Sequence, residues 1–144
     1  MPTIWTIGYE QTTVDAFLAA LTAAGVEIVA DVRAVAASRR PGFSKTALAA
    51  NLASAGIEYR HFRALGTPAD GRAAARAGNQ AALERIYAGQ LELPEAIVAG
   101  AQLAELAHER RTALLCYERD PAGCHRTLLR KTVLDDFDAN ELWP

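Results

Sequence analysis

Residues 112–129 concentrate more reactive side chains than any other stretch of the chain. An apolar run, Thr112-Ala113-Leu114-Leu115, ends in a thiol, a phenol and a carboxylate at Cys116, Tyr117 and Glu118. After the turn-forming Asp120-Pro121-Ala122-Gly123, a second thiol, an imidazole and a guanidinium follow at Cys124, His125 and Arg126, at the start of an apolar helical pattern. The chemistry therefore falls where a strand hands over to a helix. In α/β proteins this is where ligands collect, because the free N–H groups of the helix start point outward beyond the strand end. Two other segments carry the same signature: Gly8-Tyr9 after a β-branched run, and Asp31-Val32-Arg33 after another. A basic loop follows the second, with Arg33, Arg39, Arg40 and Lys45 inside thirteen residues.

These residue types point to an oxyanion ligand. Arg33, Arg39, Arg40 and Arg126 offer planar donor forks suited to phosphate or carboxylate. The alternative is that Asp31 pairs with one arginine to pin the loop while the others are solvated. Glu118 is the first candidate for a general acid or base and Asp31 the second, although either could simply orient an arginine. Cys124, at a helix start beside His125 and Arg126, is the better placed thiol for nucleophilic chemistry. Cys116 is expected to point inward as a buried free cysteine. Only His125 separates Cys124 from Arg126, which is too short for the anion-cradling loop of a phosphatase or rhodanese. Tyr9 and Tyr117 could stack on a base or sugar, or act as core lids; His125 could donate to a ligand or cap a carbonyl. No metal site is expected, because Cys116, Glu118, Cys124 and His125 match no paired zinc spacing.

The elements that must position these groups follow from periodicity and punctuation. Thr3–Gly8 reads as a first strand and Val26–Val32 as a second, the latter apolar enough to be covered on both faces. Between them a helix starts at Thr12 or Thr13, with Val14, Phe17, Leu18 and Leu21 at helical spacing, and stops at Gly25. A second helix is expected over Lys45–Ala55 and a third strand, nearer a sheet edge, over Ile57–Phe62. Residues 64–78 show no clear period and stand open between a loop and a frayed helix. Helices over Gln80–Tyr87 and Pro94–Arg110, a strand over Thr112–Cys116 and a last helix from about Gly123 to Phe137 complete the pattern. The alternation predicts a single-domain, three-layer α/β/α sandwich with a small, mostly parallel sheet, Rossmann-like and doubly wound.

Composition narrows the function classes. The chain has 144 residues, a net charge of −2 and 51% hydrophobic residues, with no apolar run long enough to span a membrane. An acidic balance offers no general attraction to nucleic acid or anionic lipid, so any polyanion must be held locally. No leader-like segment precedes the first strand, and a cytoplasmic location is expected. In a reducing compartment both cysteines are expected to be free thiols. Oligomeric state stays open; Trp143 could pack on the last strand or on a partner.

Taken together, Thr6-Ile7-Gly8-Tyr9, Asp31-Val32-Arg33, Ser38-Arg39-Arg40-Pro41-Gly42-Phe43, Leu65-Gly66 and Leu115-Cys116-Tyr117-Glu118 through Cys124-His125-Arg126 resemble the DUF488 family, a domain of unknown function. The resemblance spans nearly the whole chain, with the motifs in the family's order. It implies a compact α/β domain of bacterial or archaeal origin and implies little about reaction. Two departures fall in the site loops: Tyr9 stands where a histidine is common, and Ala34-Val35-Ala36-Ala37 lacks a proline often found there.

Three functions from different classes fit the residues. The first is an enzyme or enzyme-like domain acting on a phosphate-bearing small molecule, most plausibly a nucleotide. The second is a nucleic-acid-associated protein using the Arg33–Lys45 loop, and the third a thiol or redox module built on Cys116 and Cys124. No GxGxxG or GxxxxGKS loop is present, so no cofactor is specified.

Overall fold

The computed structural model describes residues 2–118 and 125–144. Five strands form one sheet in the order β3-β2-β4-β1-β5: β1 Thr3–Gly8, β2 Ile28–Asp31, β3 Glu58–His61, β4 Thr112–Cys116 and β5 Asp138–Leu142. Every pair is parallel. Among the described residues the helices are α1 Val14–Ala23, α2 Lys45–Ser54, α3 Ala69–Arg76, α4 Gln80–Leu91, α5 Pro94–Glu109 and α6 His125–Val133, with a 3-10 turn at Arg63–Leu65. No helix among the described residues is long and apolar enough to cross a membrane.

Alternation along the strands splits the core into two layers. Ile7, Val29, Ala113 and Leu115 pack with Phe17 and Leu21 of α1 and Leu48 and Leu52 of α2. Ile4, Ala30 and Leu114 face the other way, onto Tyr87 of α4, Leu103 of α5 and Leu129 of α6. The sheet is thus sandwiched, and β2 and β4 are buried along their whole lengths. This is the expected three-layer α/β/α architecture, with a sheet that is wholly parallel.

Local signals explain the boundaries. Thr13 caps α1, its hydroxyl accepting from Ala16 N at 3.1 Å, and Gly25 leaves that helix at φ +74°, a conformation costly for other residues. Asn79 caps α4 through a 3.1 Å bond to Ala82 N, and that helix runs one turn past the expected Tyr87. Residues 64–78 resolve into the 3-10 turn and α3. The last expected helix, Gly123–Phe137, is described from His125, since Gly123 lies outside the described residues, and ends at Val133. After a turn over 134–137 comes β5, a strand the sequence did not suggest, whose first amide donates to Pro2 O at 2.8 Å.

Connectivity places a crevice at the centre of one sheet edge. β1 and β2 hand over to α1 and α2 on one face, while β4, lying between them, is followed by α6 on the other. Neighbouring strands whose connections leave to opposite faces open a gap beyond their carboxyl ends.

Candidate functional site

The loop after β2 is built around one buried ion pair. Asp31 ends β2 with no exposed surface, and the Arg33 guanidinium, 6% exposed, meets it in a two-pronged bond: Nη2 donates to Oδ2 at 2.7 Å and Nε to Oδ1 at 2.9 Å. Asp31 also accepts from the Arg33 amide at 3.1 Å and the Tyr59 hydroxyl at 2.5 Å. Arg33 Nη1 donates to Phe43 O and the Tyr9 hydroxyl, and the His61 Nε2 proton is donated to Arg33 O at 2.7 Å. Each partner is saturated by the other, so the pair fixes the loop and adds little net charge. The carboxylate beside it holds the Arg33 guanidinium firmly protonated against the opposing effect of burial, and burial with the Asp31 bond pushes the Tyr59 phenol up.

Beyond the carboxyl ends of β1, β2 and β4 lies a cavity of about 480 Å³, a size ordinary for small-molecule sites. Tyr9 from β1, Arg33 and Val35 from the β2 loop, and Cys116, Tyr117 and Glu118 from the end of β4 contribute to one side. Thr67, Arg72 and Arg76 from the start and body of α3, with Leu83 of α4, close the other, and His125 of α6 completes the wall. Arg72 donates from Nη1 to Thr67 O at 3.0 Å, and neither Arg72 nor Arg76 joins an ion pair among the described residues. Two cations one helical turn apart therefore line the cavity without an ion-pair partner among the described residues.

Several candidates from the sequence lie elsewhere. Asp31 does not line the cavity, and with both oxygens occupied it has no position from which to act as a base there. Arg39 is exposed and outside it; Arg40 donates to Thr12 O, tying the basic loop to the start of α1. Arg126, 1% exposed, lies beneath the site and donates from Nη2 to Glu118 O at 2.8 Å. Of the four arginines expected as a fork, Arg33, Arg39, Arg40 and Arg126, the structure lines the cavity with Arg33. Arg33 reaches the cavity already neutralised, and the uncompensated charge comes from α3. Cys124 lies outside the described residues. Cys116 is disulfide-bonded, which corrects its reading as a free thiol. That reading rested on compartment, which carries no geometric information.

Arg72 and Arg76 carry no signal of a site in the sequence, because α3 has no apolar stripe and its periodic residues are the arginines themselves, at i and i+4 in an alanine-rich segment. Gly71 further masks the helix. It is required because a Cβ there would meet Thr67 Cγ2 at 2.5 Å and Ile86 Cγ2 at 3.2 Å, where α3 packs on α4.

The titrating groups of the cavity are set by burial. Desolvation raises the Glu118 carboxyl above its usual range, against the pull of its backbone hydrogen bond and of Arg126. Its Oε2 lies 3.4 Å from Cys116 Sγ; a disulfide sulfur carries no proton, so in that contact only a protonated Glu118 can donate. His125 is fully enclosed, and desolvation lowers it to about 4, helped by Arg126 and opposed by its bond to Val32 O. That bond, 2.7 Å from Nε2, puts the proton on Nε2 because a carbonyl only accepts. The imidazole also packs edge-on to Tyr87, with ring centroids 5.2 Å apart.

A pH dependence follows. Unfolded, His125 takes up a proton below 6.5; folded, only below about 4. Its contribution to stability is complete above pH 6.5 and is lost as pH falls toward 4, by on the order of 3 kcal/mol. Glu118 acts with opposite sign, since unfolding lets it ionise above 4.5. Chemical denaturation at pH 7, 6, 5 and 4 is expected to show stability falling across this window, with a shallower slope in His125→Gln. Equal slopes in the two proteins would contradict the assignment.

Among the described residues no group of three His, Cys, Asp or Glu side chains is placed to hold a metal ion. A family model described as Domain of unknown function DUF488 matches residues 13–133. No curated protein and no solved structure matches the chain.

Proposed function

Because the chain belongs to the DUF488 family, whose description assigns no activity, we propose its function from the cavity itself: it binds a small molecule carrying a phosphate or similar oxyanion, of nucleotide-like size. The observation that carries this reading is the pair Arg72 and Arg76, directed at the cavity from one helix and lacking a carboxylate partner among the described residues. A cation without a counter-charge beside a cleft is poorly compensated until an anion arrives, and guanidinium forks suit phosphate geometry. Position supports the same reading, since the cavity occupies the crevice where ligands of parallel α/β folds bind. If the ligand is transformed as well as held, Glu118 is the group to move a proton, being the cavity carboxyl that burial favours in its neutral form.

Calorimetric titration of inorganic phosphate, ribose 5-phosphate and nucleoside monophosphates tests this. Arg72→Ala/Arg76→Ala is expected to weaken binding about tenfold to a hundredfold, the range for lost charged hydrogen bonds. Absence of binding, or equal binding by the variant, would overturn the reading. The disulfide-bonded Cys116 in the cavity wall favours a second reading, a redox-responsive site. Repeating the titration after reduction separates the two, because plain anion binding is indifferent to the disulfide.

A further inference from the structure

The aromatic side of the cavity specifies more than an anion. Tyr117, directly after β4, is 46% exposed, and Val35, from the β2 loop, is 57% exposed; both line the cavity. Large apolar side chains left open at the rim of a cleft mark a surface that a ligand covers. The two tyrosines there have different duties. Tyr9 is 3% exposed, stacks on Phe43 with ring centroids 4.7 Å apart and an interplanar angle of 11°, and its hydroxyl accepts from Arg33. Its faces are committed to the protein. Tyr117 meets Tyr9 edge to face, at 5.3 Å and 80°, an arrangement that fixes the Tyr117 ring and leaves area for a second ring to stack.

Resting on the anion reading above, we propose that the oxyanion held by Arg72 and Arg76 is the phosphate of a nucleoside monophosphate, whose base stacks on Tyr117 with its edge turned to Glu118. Three features favour this over a bare oxyanion or a sugar phosphate. Inorganic phosphate leaves Tyr117 and Val35 uncovered. A sugar phosphate offers Tyr117 only C–H groups and covers less of its ring than a planar base does. A base edge, in contrast, pairs hydrogen-bond donors with acceptors, and the Glu118 carboxyl in the same wall can meet it, accepting as a carboxylate and both donating and accepting when protonated. Charge selects the monophosphate. Two guanidiniums balance the ≈ −1.5 to −2 charge of one phosphate monoester, and Arg33, neutralised by Asp31, has little to offer a second.

The test compares ribose 5-phosphate with adenosine, cytidine, guanosine and uridine 5′-monophosphates by calorimetry, on the wild-type chain and on Tyr117→Phe, Tyr117→Ala and Glu118→Gln. The exposure of Tyr117 makes its variants compatible with folding, and circular dichroism checks this. A monophosphate is expected to bind about tenfold or more tighter than ribose 5-phosphate, an advantage kept in Tyr117→Phe and lost in Tyr117→Ala, as stacking energies dictate. Glu118→Gln is expected to change the ranking of the four bases. Equal binding of ribose 5-phosphate and every monophosphate, or an advantage that survives Tyr117→Ala, overturns the base inference and leaves the anion reading standing. A nucleoside binding as tightly as its monophosphate, with no effect of Arg72→Ala/Arg76→Ala, overturns the anion reading instead. An unchanged ranking in Glu118→Gln removes Glu118 from base recognition, and absence of binding by all these ligands overturns both proposals.

Discussion

Asp31→Ala is expected to lower the unfolding free energy by about 3–5 kcal/mol, the cost of leaving a buried charge without its partner. For a chain of this length that lowers Tm by roughly 10–20 °C. The substitution strands the Arg33 guanidinium at 6% exposure and strips the Tyr59 hydroxyl and the Arg33 amide of their acceptor. Arg33→Met alone is expected to be comparably damaging, because it leaves the carboxylate enclosed. The double variant Asp31→Ala/Arg33→Met is expected to lose less than the sum of the two, since it removes both charges at once. Urea denaturation of the four proteins gives the coupling directly. A loss below about 1 kcal/mol for Asp31→Ala, the range of an exposed pair, would show that the pair does not hold the loop.

Gly66→Ala is the second large effect, and it reaches the cavity as well as the fold. A Cβ at Gly66 would lie 2.2 Å from Ala34 N and 2.3 Å from its Cα, closer than atoms can approach, and the obstruction is backbone. The turn cannot easily retreat, because the Tyr87 hydroxyl donates to Leu65 O at 2.6 Å and Gln90 Nε2 to Ala64 O at 2.9 Å. The loop after β2 must yield, and with it Ala34 and Val35, both of which line the cavity. Overpacking of this kind costs about 1–3 kcal/mol and sometimes more. A drop in stability is expected together with a weaker affinity for the proposed phosphate ligand. Gly89→Ala serves as the control: a Cβ there meets nothing within 4 Å, inside α4, and alanine is the better helix former by about 0.5–1 kcal/mol. Gly66→Ala behaving like Gly89→Ala in thermal denaturation would refute the close approach.

The sequence disclosed what depends on short-range pattern. β1, β2, β4, α1 and α5 announce themselves through β-branched runs, caps and helical apolar spacing, because each buries a stripe or face that must be written into its own residues. β5 was hidden for the opposite reason. Asp138-Ala139-Asn140-Glu141-Leu142 buries almost nothing and is a strand because β1 offers it a free edge, a fact about the sheet and not about the segment. The site divides the same way. Tyr117 and Glu118 were legible as chemistry at a strand end, and the structure sets them with His125 in one cavity wall. The fates of the arginines were not, because guanidiniums look alike in a sequence and differ only in what lies opposite them. Asp31 is two residues from Arg33 and consumes it; among the described residues neither Arg72 nor Arg76 joins an ion pair. The pairing of Leu65 with Gly66 drew notice only as part of a motif, and its reason, the backbone of Ala34 pressed against Gly66, needs the tertiary structure.

The buried Asp31–Arg33 pair also separates the parts of this molecule that can change from those that cannot. The groups that hold the sheet edge in shape are electrically self-contained, whereas the charges offered to a ligand ride on α3, a two-turn helix outside the sheet. On the proposed anion reading, substitutions at Arg72 and Arg76 are expected to change which anion is accepted while leaving the Asp31–Arg33 pair intact. The same sheet edge could then present a different ligand preference through changes confined to one short helix.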